Sequence, residues 1–183
     1  LLAPQRRGRP HLAGKNADPS ACPFCPGHER ATPPEVLAFR AAGTSPDTPG
    51  WTMRAFPNLY PASPWHEVVA EGPSPLTQPH ALGPELLSQA LTMHGRRIAA
   101  IERQPGVKTA FLFKNVGARA GASIAHNHTQ ILGLPMLPPR LVLELERAQG
   151  RSCVLCEEAR RAEREGRLVA PGERHVALCP RAS

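Results

Sequence analysis

The stretch Ser123-Ile124-Ala125-His126-Asn127-His128-Thr129-Gln130 carries two histidines and a glutamine at alternate positions. With the apolar residues that continue it to Leu134, it predicts a strand over residues 125–134. Because successive side chains of a strand point to opposite faces, we expect His126, His128 and Gln130 to share one face. Imidazole and amide groups are costly to bury without partners, so this row indicates a functional site rather than a merely polar sheet face.

A loop of small residues, Asn115 to Ser123, leads into this strand. The backbone N–H groups of such a loop can approach a phosphate closely, and Arg119 adds a positive charge. A neutral imidazole is nucleophilic near pH 7. A phosphate-binding loop followed by a histidine strand is therefore the arrangement expected for nucleophilic attack on phosphorus.

The remaining chain predicts further strands and helices around this strand. Alternating or short apolar runs predict strands at 51–56, 65–71 and 109–113. Helical spacing between Pro84 and Arg103 predicts a helix, bounded by Gly83-Pro84 and Pro105-Gly106. Two more helices, 138–149 and 152–165, and two short strands, 168–170 and 176–178, are expected after them. Strand groups with interspersed helices indicate an α+β fold.

Four of the five cysteines form two C-x-x-C pairs, Cys22 with Cys25 and Cys153 with Cys156. An odd count with two close pairs argues against a disulfide scaffold and favours metal-binding thiolates in a reducing compartment. Structural zinc takes four ligands, so two must come from elsewhere in the chain. His126 is a candidate third ligand for the first pair. The second pair is either another metal site or an unmetallated turn of helix.

Composition limits the classes of protein that fit. The 183 residues carry a formal net charge of +7, which suits an anionic partner such as a nucleotide, a phosphosugar or a nucleic acid. Aromatic residues make up 4%, too few for the stacking surfaces of single-strand binders. A zinc-stabilised nucleic-acid-binding module is the alternative from a different class, but it leaves the histidine strand and the glycine-rich loop unexplained. We therefore expect no nucleic-acid partner.

The sequence gives no sign of a membrane or secreted protein. No apolar run approaches the ~18 residues of a membrane-spanning helix, and no secretory signal is visible. We expect a cytoplasmic protein without a membrane partner. The chain begins at Leu1 rather than Met and ends at Ser183, just after a predicted strand. We expect it to be a fragment, poorly stable and inactive on its own.

Several motifs together resemble the galactose-1-phosphate uridylyltransferase family of the histidine-triad superfamily. They are, in chain order, residues 3–10 (APQRRGRP), 22–29 (CPFCPGHE), 56–61 (FPNLYP), 66–69 (HEVV), 113–115 (FKN) and 126–130 (HNHTQ). The H-x-H-x-Q ending distinguishes this transferase branch from the hydrolase branches, which have a third histidine where Gln130 stands. The resemblance implies a histidine-triad-like antiparallel sheet with flanking helices, truncated before a second repeat is complete. Residues 1–137 would form the nucleotidyltransferase domain, and 138–183 the start of a second domain.

The resemblance also implies a ping-pong transfer of a nucleotidyl group. His128 would attack the α-phosphorus of a UDP-hexose, hexose-1-phosphate would leave, and a second hexose-1-phosphate would take up the uridylyl group. In galactose metabolism the pair is UDP-glucose and galactose-1-phosphate, and a homodimer is expected for the full-length enzyme. Gln130 would hold the phosphoryl oxygens. The other implied substrate contacts are Arg6, Arg9, Asn58, Asn115, Gly121 and Ser123. The open alternative is a relative that transfers an adenylyl group and phosphorolyses ADP-glucose.

The family's zinc site supplies a further expectation and a departure from it. The resemblance implies zinc held by Cys22, Cys25 and His126, with a fourth histidine soon after the strand at 66–71. Pro75 stands where that histidine is expected, and His80 is the nearest substitute. Cys153 and Cys156 resemble a second zinc knuckle whose partners would lie beyond residue 183.

Overall fold

The structure, a computed structural model, describes residues 22–75, 78–149, 153–172 and 175–181. The chain divides into two compact units, Leu1–Met136 and Leu137–Ser183. Arg6 and Arg9, which the resemblance assigned to phosphate binding, lie outside the described residues, as does the rest of the opening motif.

The first unit contains a five-stranded antiparallel sheet. In chain order the strands are β1 (Leu37–Arg40), β2 (Trp51–Pro57), β3 (His66–Glu71), β4 (Thr109–Phe113) and β5 (His128–Leu134). Their order in the sheet is β1-β2-β3-β5-β4, and every neighbouring pair is antiparallel. The expected α+β class, an antiparallel sheet with flanking helices, is confirmed.

A single long helix, α1 (Gly83–Glu102), covers one face of the sheet. It begins with Gly83-Pro84, because proline suits the first helical turn, where its missing N–H costs no hydrogen bond. Ala90, Met93 and Ile101, spaced along one side of the helix, are buried against the sheet. Their apolar partners on this face of the sheet include Met53, Ala55, Val69 and Ile131.

The opposite face of the sheet packs against the segment that contains the first cysteine pair. Val68 and Ala70 of β3 alternate with Val69, so they point away from α1. They form a second apolar cluster with Cys22, Phe24 and Cys25. The sheet is thus buried on both sides, which explains why all six residues of β3 are buried.

Gly133 of β5 is one glycine whose small size the packing requires. A Cβ atom at this position would lie 2.8 Å from the Cβ of Trp65 and 2.9 Å from Cγ2 of Val107. No side chain fits there without moving the backbone of a neighbouring segment.

The second unit is small. It contains α2 (Pro139–Ala148), α3 (Val154–Arg164) and an antiparallel pair, β6 (Leu168–Ala170) with β7 (Ala177–Leu178). Among all the residues that the structure describes, no helix is both long enough and apolar enough to span a membrane.

One expectation about the central stretch was wrong. The strand begins at His128, not at Ala125, so His126 does not belong to the alternating row. Residues 123–126 form a bend whose geometry is fixed by contacts with the end of β3. Nε2 of His126 hydrogen-bonds the Gly72 carbonyl at 2.8 Å, and the Glu71 N–H donates to the Asn127 carbonyl. The first bond holds the His126 side chain, and the second pairs two backbone groups just before the strand begins.

Candidate active site and metal centre

His128, the first residue of β5, lines a cavity of about 320 Å³ on the cysteine side of the sheet. Its Nδ1 lies 2.7 Å from the carbonyl oxygen of His126. A carbonyl can only accept, so Nδ1 carries the proton and donates it, and the lone pair of the neutral ring is on Nε2. This is the tautomer that a nucleophilic histidine requires.

Gln130 lies two residues further along β5 and lines the same cavity. The Ala62 N–H donates to Nδ1 of His66 at 2.9 Å, so the proton of a neutral His66 ring is on Nε2. That Nε2 donates to Oε1 of Gln130 at 3.1 Å. Nδ2 of Asn58 donates to the same oxygen at 3.3 Å. Because Oε1 already accepts two hydrogen bonds, the NH₂ group of Gln130 is the part of the amide that can donate to an oxygen of a ligand.

His66 is therefore a residue of the candidate site that the sequence reasoning missed. It was quoted only as part of a matching motif and received no role. A histidine at the start of a buried strand is a weak signal, because its two partners come from a loop and from a different strand.

Phe24, between the two cysteines, forms a wall of the cavity. Its ring meets His128 nearly edge-on, with centroids 5.3 Å apart, and His126 with centroids 6.2 Å apart. The segment that carries the cysteines thus contacts both histidines directly. Any metal that fixes this segment also fixes one wall of the cavity.

Cys22, Cys25 and His126 form a group that could hold a metal ion. Nδ1 of His126 lies 3.5 Å from Sγ of Cys22 and 3.6 Å from Sγ of Cys25. The Nε2–H of His126 donates to Gly72, so the Nδ1 lone pair faces the two sulfur atoms. Two sulfurs and one imidazole nitrogen are a donor set that zinc favours. The residues present therefore fit a zinc ion.

The protonation of this group is consistent with its burial. Burial raises the pKa of Cys25 to about 12, with a further contribution from Cys22. Burial also lowers the pKa of His126 to about 4, against the opposing hydrogen bond to Gly72. The histidine is neutral, as a ligand must be, and the Cys25 thiol needs a cation to become a thiolate.

Among the described residues, neither the position expected to supply the fourth ligand nor its nearest substitute joins this group. Pro75 has no donor atom, and His80 lies in a short 3₁₀ turn, Pro79–Leu82, without joining the cluster. Cys153 and Cys156 lie at the start of α3, and in the described part of the chain they form no metal-binding group with another donor.

The remaining expected contacts are distributed unevenly. Ser123 is buried and lines the cavity beside His128, and Asn58 lines it as well. Asn115 is half-buried and Gly121 is exposed, and neither is part of the cavity lining. Lys114, in the middle of the FKN motif, binds the Glu71 carboxylate and the His128 carbonyl through its Nζ.

The sheet is antiparallel, β5 begins with a histidine, and the histidine two residues earlier faces a cysteine pair. These features together define a protein of the histidine-triad superfamily. Comparisons with known proteins narrow this class. No protein-family model matches the chain. An ADP-glucose phosphorylase of Arabidopsis thaliana is 32% identical over an alignment of 191 positions. The alignment covers 86% of this chain and 53% of that protein. A galactose-1-phosphate uridylyltransferase of Thermotoga maritima is 37% identical over 79 residues, which cover 40% of this chain and 24% of that protein.

Solved structures agree with these sequence matches. A GalT-like protein from Arabidopsis thaliana has a TM-score of 0.64 at 32% identity, with coverage of 81% of this chain and 51% of that chain. An Arabidopsis ADP-glucose phosphorylase with bound ADP-glucose has a TM-score of 0.64, and the match covers 75% of this chain and 49% of that chain. A uridylyltransferase mutant has a TM-score of 0.63 at 25% identity, with coverage of 94% and 54%.

The chain belongs to the galactose-1-phosphate uridylyltransferase family, which also includes the ADP-glucose phosphorylase-like proteins. It spans about half the length of the Arabidopsis relative.

Proposed function

We propose that this chain carries the nucleotidyl-transfer site of an enzyme that acts on sugar nucleotides, with His128 as the nucleophile. The observation that carries the proposal is the bond from Nδ1 of His128 to the His126 carbonyl, which leaves the lone pair on Nε2. The cavity beside it is lined by apolar side chains that include Phe24 and Phe56, and by polar side chains that include Gln130 and Ser123. Such a cavity suits a nucleoside whose phosphates lie against the polar side chains.

The proposed reaction has two in-line steps. Nε2 of His128 attacks the α-phosphorus of the sugar nucleotide, the bond from that phosphorus to the bridging oxygen breaks, and sugar-1-phosphate leaves. An oxygen of the acceptor phosphate then attacks the same phosphorus and releases Nε2. The Gln130 NH₂ and the Ser123 hydroxyl donate to the phosphoryl oxygens as charge develops on them.

For the nucleotide, we propose ADP-glucose, with inorganic phosphate as acceptor, so that ADP and glucose-1-phosphate are formed. The support is the 32% identity to an ADP-glucose phosphorylase over 86% of this chain. Uridylyl transfer between UDP-glucose and galactose-1-phosphate, a step of galactose metabolism, is the second candidate. It is favoured by the match to a uridylyltransferase over 94% of the chain at a TM-score of 0.63.

We further propose that the metal held by Cys22, Cys25 and His126 is zinc. When bound, zinc would neutralise two thiolates and fix the segment around Phe24, which is a structural role. All five cysteines are unpaired, which favours a reducing compartment such as the cytoplasm. Residues 1–137 would be the nucleotidyltransferase domain, 138–183 would begin a second one, and a homodimer is proposed for the whole enzyme.

The test is a product assay on the full, zinc-loaded chain with four substrate mixtures. These are ADP-glucose or UDP-glucose, each with inorganic phosphate or galactose-1-phosphate. We expect glucose-1-phosphate from ADP-glucose with phosphate. Release only from UDP-glucose with galactose-1-phosphate would assign the second candidate. Release from none of the mixtures by a folded protein would reject the proposed function.

A further inference from the structure

Behind His128, on the α1 face of the sheet, lies a cluster of four polar side chains. Glu71 ends β3, Lys114 follows β4, His94 lies on α1, and Thr129 is the neighbour of His128 in β5. Thr129 points to the face opposite His128, because side chains alternate along a strand. The cluster is therefore on the other side of the sheet from the cavity.

Glu71 is the centre of this cluster. One carboxylate oxygen, Oε1, accepts from Nε2 of His94 at 2.9 Å and from the hydroxyl of Thr129. The other oxygen, Oε2, forms an ion pair with Nζ of Lys114. The Glu71 side chain is only 3% exposed. Burial alone would raise the pKa of Glu71, but the hydrogen bond from His94 and the charge of Lys114 outweigh it and lower the pKa to about 2. The carboxylate is thus ionised, and its three partners are held around it.

Lys114 connects this cluster to the backbone of the proposed nucleophile. Its Nζ donates to the carbonyl oxygen of His128 at 3.2 Å. The ladder between β4 and β5 ends at the pair Phe113–Gln130, two residues beyond His128. Lys114 therefore holds β5 on the β4 side at a point where the strand pairing no longer does.

The backbone of Glu71-Gly72 holds the same segment at two further points. The Glu71 N–H donates to the Asn127 carbonyl at 3.0 Å, and the Gly72 carbonyl accepts from Nε2 of His126. The His126 carbonyl in turn accepts the proton of Nδ1 of His128. A shift of residues 126–128 would change the bond that selects the reactive tautomer.

We infer that Lys114 and Glu71 are positioning residues that hold His128 from the back of the sheet and maintain its Nδ1-protonated tautomer. The inference rests on the proposed function for its catalytic consequence. Neither residue contacts the substrate. Loss of the pair would slow attack on phosphorus and leave substrate binding unchanged.

The matched control is the ion pair of Arg97 and Glu67. It joins α1 to β3, with two hydrogen bonds of 2.7 Å, and its side chains are about as buried as those of Glu71 and Lys114. Glu67 pairs with Ile131, three residues beyond His128. The control pair therefore has the same kind of structural role without a bond to residues 126–129.

The experiment compares two double variants of the full, zinc-loaded chain, Glu71→Gln/Lys114→Met and Glu67→Gln/Arg97→Met. Removing both charges avoids an uncompensated buried ion, which strongly destabilises a protein. The first readout is the ¹⁵N NMR signature of the His128 ring, assigned with His128→Asn. The second is the rate at which ADP-glucose or UDP-glucose forms a covalent adduct, with its dependence on substrate concentration.

We expect mixed tautomers of His128 and an adduct rate about 100-fold lower at saturation in Glu71→Gln/Lys114→Met, since small misplacements of a reacting group have effects of that size. The half-saturating concentration should stay within about twofold of the unsubstituted value, and the control should match the unsubstituted protein in both readouts. If the double variant does not fold, Glu71→Gln, which removes the buried charge and weakens the hold on Lys114, replaces it with the same expected direction.

A folded variant with the original tautomer and rate would overturn the inference. If the unsubstituted protein forms no adduct with either nucleotide, the proposed function fails, and the NMR readout still decides whether the pair sets the tautomer.

Discussion

At the scale of single residues, hydrogen bonds decide where the protons of the cavity side chains lie. A backbone N–H must donate and a backbone carbonyl must accept, so each fixes one nitrogen of a neutral histidine. The His126 carbonyl does this for His128, and the Ala62 N–H does it for His66. The Nε2–H of His66 in turn donates to Oε1 of Gln130 and so fixes the orientation of that amide. The site therefore has its donors and its lone pair in place before any ligand binds.

The role of His66 predicts the effect of removing it. His66→Phe should lower the maximal transfer rate about tenfold, because an orienting hydrogen bond contributes about 1–2 kcal/mol. Gln130→Ala should lower it at least as much. Because both substitutions remove the same orientation, the double variant should be no slower than Gln130→Ala. Steady-state kinetics of the three variants measures this, and additive losses would show that His66 acts independently of Gln130.

The buried Glu71 carboxylate predicts a pH-dependent contribution to stability. Its pKa is about 2 in the folded protein against an ordinary value of 4.5, so its contribution is complete above about pH 5 and is lost as the pH falls through 4.5 towards 2. At neutral pH it amounts to about 3 kcal/mol as an upper bound. Urea unfolding of the unsubstituted protein and Glu71→Gln between pH 3 and 7 should show the difference shrinking towards acid. A difference that is constant with pH would contradict the ionised cluster.

At the scale of elements, local patterns predicted most strands and helices well, and long-range bonds explain the failures. The helix at 84–103 and the strand at 109–113 agree with α1 and β4 because apolar spacing and flanking Pro and Gly are local signals. The predicted start of β5 was wrong because the residues before His128 are held by contacts with Glu71-Gly72, more than 50 residues earlier in the chain. Leu91, an apolar residue of this helix, is 63% exposed, because apolar spacing does not say which side of a helix meets the sheet.

The same distinction applies to the candidate site. The cysteine pair and the histidine strand are visible as motifs, and the resemblance joined Cys22, Cys25 and His126 across more than 100 residues. The Glu71–Lys114 pair left no such signal, because an acidic residue ending one strand and a lysine following another are ordinary surface features until the sheet order brings them together.

The metal centre predicts a measurable change in zinc content. Cys22→Ser/Cys25→Ser should lower the zinc bound per chain in elemental analysis, because a structural zinc site depends on its thiolates. Cys179→Ser, which changes an exposed cysteine outside the cluster, should leave the content unchanged. Equal zinc in all three proteins would mean that the first pair is empty and that the metal lies elsewhere, with Cys153 and Cys156 as the remaining pair.

At the scale of the whole molecule, one sheet supports two different arrangements on its two faces. The cysteine face carries the cavity, the candidate nucleophile and the metal ligands. The α1 face carries the apolar cluster around Met93 and the ion pairs Glu67–Arg97 and Glu71–Lys114. β5 connects the two, because His128 and Gln130 point to the first face while Thr129 and Ile131 point to the second. Stability and reactivity are thus linked through alternate residues of one strand.

The central claim is that His128 becomes covalently bound to a nucleotidyl group. The most direct measurement is mass spectrometry of the intact, zinc-loaded chain after incubation with ADP-glucose and, separately, with UDP-glucose, without acceptor, followed by mapping of the modified peptide. The account predicts an added adenylyl group from ADP-glucose, located on His128 and absent from His128→Asn, which disappears when phosphate is added. An adduct on another residue, an adduct that persists in His128→Asn, or turnover by His128→Asn at the normal rate would contradict it.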